Sequence, residues 1–515
     1  VALVIAHELA HQWFGNLVTM KWWDDLWLNE SFANMMEYVC VNAIEPTWNI
    51  FEDFQTSGVP LALKRDATDG VQSVHVEVKH PDEINTLFDP AIVYAKGSRL
   101  MHMLRRWLGD EAFAKGLNAY FAKHQYSNTI GRDLWNALGA ASGRDVAAFM
   151  DSWLEQPGYP VLTAIVENDT LKISQKQFFI GEKEEKGRLW VVPLNSNWTG
   201  IPDTLETETL EIPNYAALAA QNEGALRFNT ENTAHYITDY QGELLDNILA
   251  TITDLDNTSK LQVVQERRLL AEAGFVSFAD LIPVVKKLTN ERSYLVVSAV
   301  KAVLNSLRTF VDEGTETEVA FKKLLVKLNQ ANFDRLGFEA KAGETDEDEL
   351  VRQIVVANMI AADDEKASQK ASQIFEAYHD TLEKLPAATR LQILINQIKH
   401  HETKELTDKY LATYITTVDG NFQRQLASAL SYTKDETTLT HLLEEWKNKD
   451  VVKPQDLAMS WYFTFLQHDF TQGTVWTWAR DNWDWIKAAL GGDMSFDKFV
   501  IYPASTFKTH ERLAE

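Results

Sequence analysis

The sequence has one cysteine, few basic residues and no long apolar run, and each of these shortages argues against a class of protein. Cys40 stands alone, so no disulfide can form within the chain, which favours a reducing compartment such as the cytoplasm. The 49 basic residues against 74 acidic ones leave a formal charge of −25, whereas nucleic-acid binding needs a basic surface. No apolar run reaches the roughly 18 residues that span a bilayer. We therefore expect neither a nucleic-acid partner nor a membrane segment.

Length and composition indicate several packed domains. The chain has 515 residues, of which 45% are hydrophobic, a share typical of globular cores rather than of disordered chains. At roughly 150 residues per domain, this length predicts about three domains. The chain starts with Val1 inside an apolar helical pattern, without the polar cap that normally begins a helix. The last residues also look helical and unfinished, so we expect an internal fragment of a longer protein.

Changes in periodicity divide the chain into three predicted domains. Residues 1–160 are rich in aromatic residues, are predicted to be helical, and end at the Pro/Gly cluster 156–160. Residues 161–240 contain short β-branched runs and are predicted to form a small β-sandwich. Residues 241–515 carry apolar residues at helical spacing, which favours a C-terminal α-solenoid of stacked helix pairs. The expected fold class is multidomain and mainly α.

Two local patterns make these predictions more specific. The runs 161–166 and 171–175 are rich in β-branched residues and flank the turn residues Asn168 and Asp169, which predicts a β-hairpin. The acidic run 344–349 is expected to be a solvated loop or the start of a helix, because acidic side chains are favoured at helix N-termini.

The segment His7-Glu8-Leu9-Ala10-His11 has the spacing of a metal site. Residues four apart lie on one face of a helix, so two imidazoles can reach one ion at about 2.0–2.1 Å for zinc. Glu8 would project beside that ion and could take a proton from an attacking water. Apolar residues surround the segment, so we expect a buried helix. The competing interpretation is two core histidines, since the motif arises by chance in roughly two or three such chains per hundred.

Three further residues favour the metal site. Glu30, on a predicted second helix, would complete two His and one Glu, which leaves a fourth position open as in catalytic zinc sites. Glu37 lies seven positions later on the same face and could accept a ring N–H from a ligating His, although an exposed helix Glu is equally consistent. Tyr94 follows a turn at the start of a predicted helix, where its phenol could donate to a developing oxyanion. Taken alone, Tyr94 more often would simply pack.

The remaining histidines carry no comparable pattern. His102, His124, His235 and His468 lie apart from the motif and are assigned no role, and the pair at 400–401 is expected to lie on a solvated face.

Segments 7–19, with its His-Glu-Leu-Ala-His start, and 22–33, with Trp-Leu-Asn-Glu-Ser-Phe-Ala, resemble the aminopeptidase N family of zinc metallopeptidases. The gap of 18 residues between His11 and Glu30 is that family's spacing, and Tyr94-Ala95-Lys96-Gly97 resembles its catalytic tyrosine segment. The resemblance is very specific across residues 1–110. After residue 110 it rests only on the predicted order of the domains, which is helical, then β, then helical. The single cysteine and the acidic balance resemble bacterial cytosolic members, such as those of lactic acid bacteria.

The resemblance implies a site, a reaction and a fold. His7, His11 and Glu30 would bind one Zn²⁺ per chain, Glu8 would be the general base, and Tyr94 would stabilise the tetrahedral intermediate. The reaction would be hydrolysis of the first peptide bond of peptides with a free N-terminus, in the cytoplasm. The helical catalytic part would be thermolysin-like.

One departure from the family pattern leaves alternatives open. The family recognises the substrate amine partly with a Gly-x-Met-Glu-Asn segment before the zinc helix, and this chain begins six residues before His7. We therefore expect these 515 residues to hold the metal ligands but to have little aminopeptidase activity alone. The alternatives are a zinc endopeptidase, an epoxide hydrolase-type relative, and an inactive binding scaffold with a structural zinc. The presence of both Glu8 and Tyr94 argues against the scaffold. The sequence carries no signal for the oligomeric state or for the preferred N-terminal side chain.

Overall fold

A computed structural model describes residues 1–493 and 495–514, and this part of the chain is mainly helical with three small sheets. It confirms the predicted mainly α class. The chain separates into two compact units, Val1–Leu288 with Ser298–Val303 and Thr289–Val297 with Leu304–Glu515. Both predicted boundaries, at 160 and 240, fall inside the first unit, because one hydrophobic core runs from its first helices into its strands. The division into three domains stays a prediction.

The first unit contains twelve of the described α-helices. They are α1 (Ala2–Ala10), α2 (Trp27–Ile44), α3 (Ile50–Thr56), α4 (Gly58–Asp66), α5 (Gly97–Leu108), α6 (Asp110–His124), α7 (Gly131–Ser142), α8 (Val146–Leu154), α9 (Tyr215–Ala219), α10 (Glu243–Thr251), α11 (Asn257–Glu272) and α12 (Leu281–Lys287). Short 3-10 helices lie at Trp23–Asp25, Pro46–Trp48, Pro81–Leu87, Thr230–Asn232, Ile252–Asp254 and Phe278–Asp280. A π-helical segment, Pro90–Lys96, runs directly into α5.

Helix α1 is less buried than its apolar sequence predicts. One side of it packs on α2, whose apolar face joins the core. Val4, Ile5 and Leu9 remain 63%, 56% and 58% exposed. The prediction of a buried helix is therefore wrong, because an apolar sequence on all sides of a helix does not ensure that neighbours cover every side.

Strands β1 (Val18–Met20) and β2 (Ser127–Thr129) form a parallel pair among the helices. Strands β3 (Pro160–Glu167) and β4 (Thr170–Gln177) pair in antiparallel fashion. Asn168 and Asp169 connect them with φ values of 49° and 58°. Two left-handed residues in a two-residue loop match the twist of a hairpin, and Asn and Asp tolerate this conformation. The predicted hairpin is confirmed.

The hairpin is the centre of a four-stranded sheet. Strands β5 (Val192–Pro193) and β6 (Thr204–Leu205) form a separate short ribbon. Strand β7 (Thr209–Pro213) pairs antiparallel with β4, and β8 (Ile237–Tyr240) pairs parallel with β3, giving the order β7-β4-β3-β8. The region 161–240 thus holds one sheet and one ribbon, and the sandwich arrangement stays a prediction.

Helix α13 (Tyr294–Arg308) contributes residues to both units, and the second unit continues with helices to the end of the described chain. These are α14 (Glu316–Leu336), α15 (Asp346–Ala361), α16 (Glu365–Tyr378), α17 (Arg390–His401), α18 (Lys404–Thr416), α19 (Gly420–Leu430), α20 (Glu436–Glu445), α21 (Pro454–Asp456), α22 (Phe463–Leu466), α23 (Asp469–Asp481), α24 (Trp483–Leu490), α25 (Lys498–Thr506) and α26 (His510–Ala514). A 3-10 helix lies at Leu382–Lys384 and a π-helical segment at Leu457–Tyr462.

The acidic run 344–349 starts a helix, as expected. Thr345 caps α15 by accepting a hydrogen bond from the Asp348 backbone N–H, and the acidic residues occupy the first turn. Across the described residues, no helix combines the length and the apolar character that crossing a bilayer requires.

Candidate metal centre

Two packed helices bring three predicted ligand residues together. His7 lies in the last turn of α1, His11 is the helical-conformation residue that caps its C-terminus, and Glu30 lies in the first turn of α2. The Nε2 atoms of the two histidines are 3.1 Å apart. Glu30 Oε2 lies 3.3 Å from His7 Nε2 and 3.4 Å from His11 Nε2. Among the described residues, this is the one group of three such side chains with ligand atoms close enough to hold a metal ion.

The triangle of donor atoms fits a divalent ion such as zinc. Ligand atoms at about 2.0–2.1 Å from a tetrahedral ion are separated from one another by about 3.3 Å. The three observed separations, 3.1, 3.3 and 3.4 Å, bracket that value. Two imidazole nitrogens and one carboxylate oxygen are a donor set that zinc accepts, and three protein ligands are the number typical of catalytic zinc sites.

The other ring nitrogen of each histidine is held by a hydrogen bond. His7 Nδ1 donates to Glu37 Oε2 at 3.0 Å, and His11 Nδ1 donates to the Phe14 carbonyl oxygen at 3.0 Å. Because Nδ1 carries a proton in these contacts, a neutral ring at either position directs its Nε2 lone pair at the shared point. The expectation that Glu37 accepts a ring N–H is confirmed, and its side chain is buried.

Sequence reasoning missed two of the groups that orient the histidines. Asn34 Nδ2 donates to Glu37 Oε1 at 2.9 Å and so fixes that carboxylate. Glu30, Asn34 and Glu37 are spaced by four and three residues on one helix face, so helical spacing could have found Asn34. The carbonyl of Phe14 carries no sequence signal, because every residue has one.

The electrostatics of the centre favour positive charge beside Glu30. Burial lowers the pKa of His7, but the hydrogen bonds and charges of Glu30 and Glu37 outweigh it and raise that pKa to about 9. The hydrogen bond that His11 donates to Glu30 also raises the pKa of His11, against the effect of burial. Burial raises the pKa of Glu30, yet its contacts with both imidazoles bring the value to about 2. Protons and a divalent cation would therefore compete for the same place.

Tyr94 lies beside this centre, and Glu8 lies on the exposed side of α1. The Tyr94 ring, in the π-helical segment, is 6.2 Å from the His7 ring, measured between centroids. Burial, followed by the charge and hydrogen bond of Glu30 and the charge of Glu8, holds the pKa of the Tyr94 phenol well above its usual range. The phenol therefore stays a hydrogen-bond donor at neutral pH. Glu8 itself is exposed.

Comparisons with known proteins fit this geometry. Residues 1–153 match the sequence profile of the peptidase family M1 domain, and residues 226–515 match that of the ERAP1-like C-terminal domain. The chain is 63% identical over 515 residues to an aminopeptidase N of Lactococcus lactis subsp. lactis, which covers 100% of this chain and 60% of that protein.

More distant relatives show the same pattern of coverage. An aminopeptidase N of Lactobacillus delbrueckii subsp. lactis is 46% identical over 515 residues, with 100% of this chain and 61% of that protein covered. A puromycin-sensitive aminopeptidase of Caenorhabditis elegans is 30% identical over 530 residues, which is 100% of this chain and 55% of that protein. The chain thus spans about 60% of the length of the bacterial relatives that it matches.

Proposed function

Because the chain belongs to the aminopeptidase N family of peptidase family M1, we propose that it carries the zinc centre of an enzyme that removes N-terminal residues from peptides. The observation that carries this proposal is the triangle formed by His7 Nε2, His11 Nε2 and Glu30 Oε2, whose edges are 3.1–3.4 Å. These three residues would be the ligands of one Zn²⁺. The substrates would be peptides with a free N-terminus.

The residues around the centre divide the work of peptide hydrolysis. When bound, zinc would supply a Lewis acid that polarises the scissile carbonyl and activates water. Glu8 would accept a proton from the attacking water and pass it to the leaving amine. Tyr94 would donate its phenolic hydrogen to the oxygen on which negative charge develops. Glu37 would keep the His7 ring in the ligating tautomer.

The domain organisation and location follow from the same assignment. Residues 1–160 would be the thermolysin-like catalytic part, 161–240 the β-sandwich, and 241–515 a solenoid of helix pairs. Support comes from the extents of the two matched profiles and from the packing of α16 on α17 and of α18 on α19. The single Cys40 supports a cytoplasmic location.

The test is a Glu8→Gln variant, made in a form of the protein extended to the length of its relatives. We expect hydrolysis of an aminoacyl anilide to fall at least about a hundredfold, because the general base is lost. Zinc should remain at one per chain, because Glu8 is not a ligand. Glu111→Gln, which changes an exposed glutamate at the start of α6, is the matched control and should leave turnover unchanged.

Two of the alternatives, the scaffold and the endopeptidase, predict different results in the same assay. Full turnover by Glu8→Gln would contradict the proposal. A parent protein that binds zinc without hydrolysing any peptide would be a scaffold with a structural zinc. Equal hydrolysis of free and N-acetylated peptides would indicate an endopeptidase, because only an aminopeptidase requires the free amine. The 515 residues alone should bind zinc but turn over little substrate.

A further inference from the structure

A buried cluster of three charged or polar side chains lies behind the Tyr94 segment. Lys96 ends the π-helical segment, and its Nζ lies 2.8 Å from Asp66 Oδ2, with both side chains fully buried. The same Nζ donates to the Gly158 carbonyl at 3.2 Å. His235 Nε2 lies 3.0 Å from Asp66 Oδ2, and Asp66 Oδ1 accepts from the Gly158 backbone N–H at 2.9 Å. We call Asp66, Lys96 and His235 the anchor cluster.

The anchor cluster is not the arrangement that would best stabilise the folded protein. Removing a lysine and a carboxylate from water carries a desolvation penalty that their attraction often fails to repay, and apolar residues of similar size usually stabilise a core equally well or better. Burial lowers the pKa of His235 to about 4, so this ring is neutral and donates its Nε2 proton to Asp66. The cluster is therefore one ion pair, directed by a neutral imidazole and by the backbone of Gly158. Such an arrangement fixes the position of the ammonium group, which an apolar side chain would not do.

The fixed position belongs to the segment that carries Tyr94. Lys96 stands two residues after Tyr94, and the anchor cluster holds it to the end of α4 and to the loops before β3 and β8. On the other side of Tyr94, the Val93 carbonyl accepts a buried 2.6 Å hydrogen bond from Ser31 Oγ, next to Glu30 on α2. Tyr94 thus lies in a short segment whose flanking residues, Val93 and Lys96, are each held by a buried contact. A π-helical turn is rare and is often found at functional sites, and here contacts on both sides of Tyr94 tie it to neighbouring elements.

We infer that Lys96, held by Asp66 and His235, is a positioning residue that places the Tyr94 phenol over the metal centre. The inference rests on the proposed function, because it assigns Tyr94 a role in the reaction. Lys96 touches neither ligand nor substrate in this scheme and acts through Tyr94. Displacement of a catalytic group by about 1 Å can lower turnover by about a hundredfold, so the effect of losing the anchor should be large.

The experiment is a double-mutant cycle with Tyr94→Phe. Lys96→Met together with Asp66→Asn removes the ion pair without leaving a buried charge unpaired. In the extended protein, we expect kcat to fall at least about tenfold with KM changed less than about threefold, and zinc to stay at one per chain. In the Tyr94→Phe background, the same two substitutions should change kcat less than about twofold, because the group that they position is already absent.

Another buried ion pair of the first unit provides the matched control. Arg267 Nη1 lies 3.3 Å from Asp239 Oδ1, with side chains 8% and 6% exposed. Arg267→Met with Asp239→Asn removes a comparable pair that does not contact the Tyr94 segment. Any loss of kcat that it causes should be the same with Tyr94 and with Phe at that position. If the Lys96 and Asp66 substitutions also lowered kcat equally with Tyr94 and with Phe at that position, the inference would be overturned and their role would be purely structural.

Two further measurements keep the inference testable. If the double variant does not fold, Lys96→Arg keeps the charge but replaces a compact ammonium with a planar guanidinium, which moves the anchor. Its loss of kcat should also disappear in the Tyr94→Phe background, and a loss that persists there would count against positioning. A crystal structure of a folded variant should show the Tyr94 and His7 centroids separated by more than the present 6.2 Å. A Tyr94 ring that has not moved in the variant would contradict the inference. A ring that has moved, when the parent protein itself hydrolyses no peptide, would support the positioning role and contradict the proposed function.

Discussion

Ser31 Oγ donates a 2.6 Å hydrogen bond to the carbonyl oxygen of Val93, and this contact fastens the residue after Glu30 to the residue before Tyr94. The contact is buried, so no water replaces it if it is lost. Gly97 makes the approach possible, because a Cβ built there would overlap Ser31 Oγ. The distance between the predicted metal ligand and the predicted phenol donor therefore depends on a glycine that contributes no side chain.

Gly97→Ala should destabilise the protein and reduce its turnover. The added methyl must push Ser31 or the helix away, and overpacking of this kind typically costs about 1–3 kcal/mol of unfolding free energy. Gly420→Ala is the control, since a Cβ at that helical position meets open space and should be neutral or slightly stabilising. Urea denaturation of both variants measures the difference, and a Gly97→Ala protein as stable as its parent would show that the contact yields freely.

Tyr94→Phe should lower kcat while leaving KM nearly unchanged. The phenyl ring preserves the packing beside His7 and loses the hydroxyl that would meet the developing oxyanion, a loss typically worth about a hundredfold or more. Steady-state kinetics of the extended protein on an aminoacyl anilide provide the measurement. Tyr126→Phe, at a side chain that is 86% exposed, serves as the control and should match the parent. An increase in KM at constant kcat would mean that Tyr94 binds substrate instead.

Glu37→Gln should weaken zinc binding without removing a ligand. The amide accepts the His7 N–H less strongly than the carboxylate does, and loss of such a partner typically lowers metal affinity by about 10–100-fold. Competition with a chelator of known affinity measures the change. Glu45→Gln, at an exposed glutamate beyond the end of the same helix, should leave the affinity unchanged. Equal zinc affinities for the parent and both variants would show that Glu37 does not contribute to metal binding.

The features that the sequence predicted are those determined by local geometry. Two imidazoles four residues apart must share a helix face, so the meeting of His7 and His11 needs only that α1 be a helix. The turn at Asn168 and Asp169 is similarly local, because these residues tolerate the left-handed conformation that a tight hairpin requires. Placing Glu30 beside the histidines required more, namely that α2 pack on α1, and the family spacing supplied that information.

The features that the sequence did not predict depend on contacts between distant segments. His235 and Asp66 stand 169 positions apart and meet only because the sheet and helices of the first unit share one core. Neither residue belongs to a sequence pattern, so the sequence alone assigns no role to His235 or Asp66. The exposure of Leu9 has the same origin, since periodicity shows that a helix is apolar but not which neighbours cover it.

His468 should make the second unit sensitive to acid. Its side chain is 8% exposed, and burial, reinforced by the charges of Arg308, Lys399 and Lys434, lowers its pKa to about 3.

An unfolded histidine binds a proton near pH 6.5, so between pH 6.5 and 3 the unfolded state holds more protons, and the free energy of unfolding falls as the pH falls. At pH 4.5, this difference amounts to about 3 kcal/mol of unfolding free energy. Urea denaturation across this range should show a shallower pH dependence for His468→Gln than for the parent. His441→Gln, which replaces an exposed histidine, should keep the parental slope, and parallel slopes for all three proteins would show that His468 is protonated in the folded state as readily as in the unfolded state.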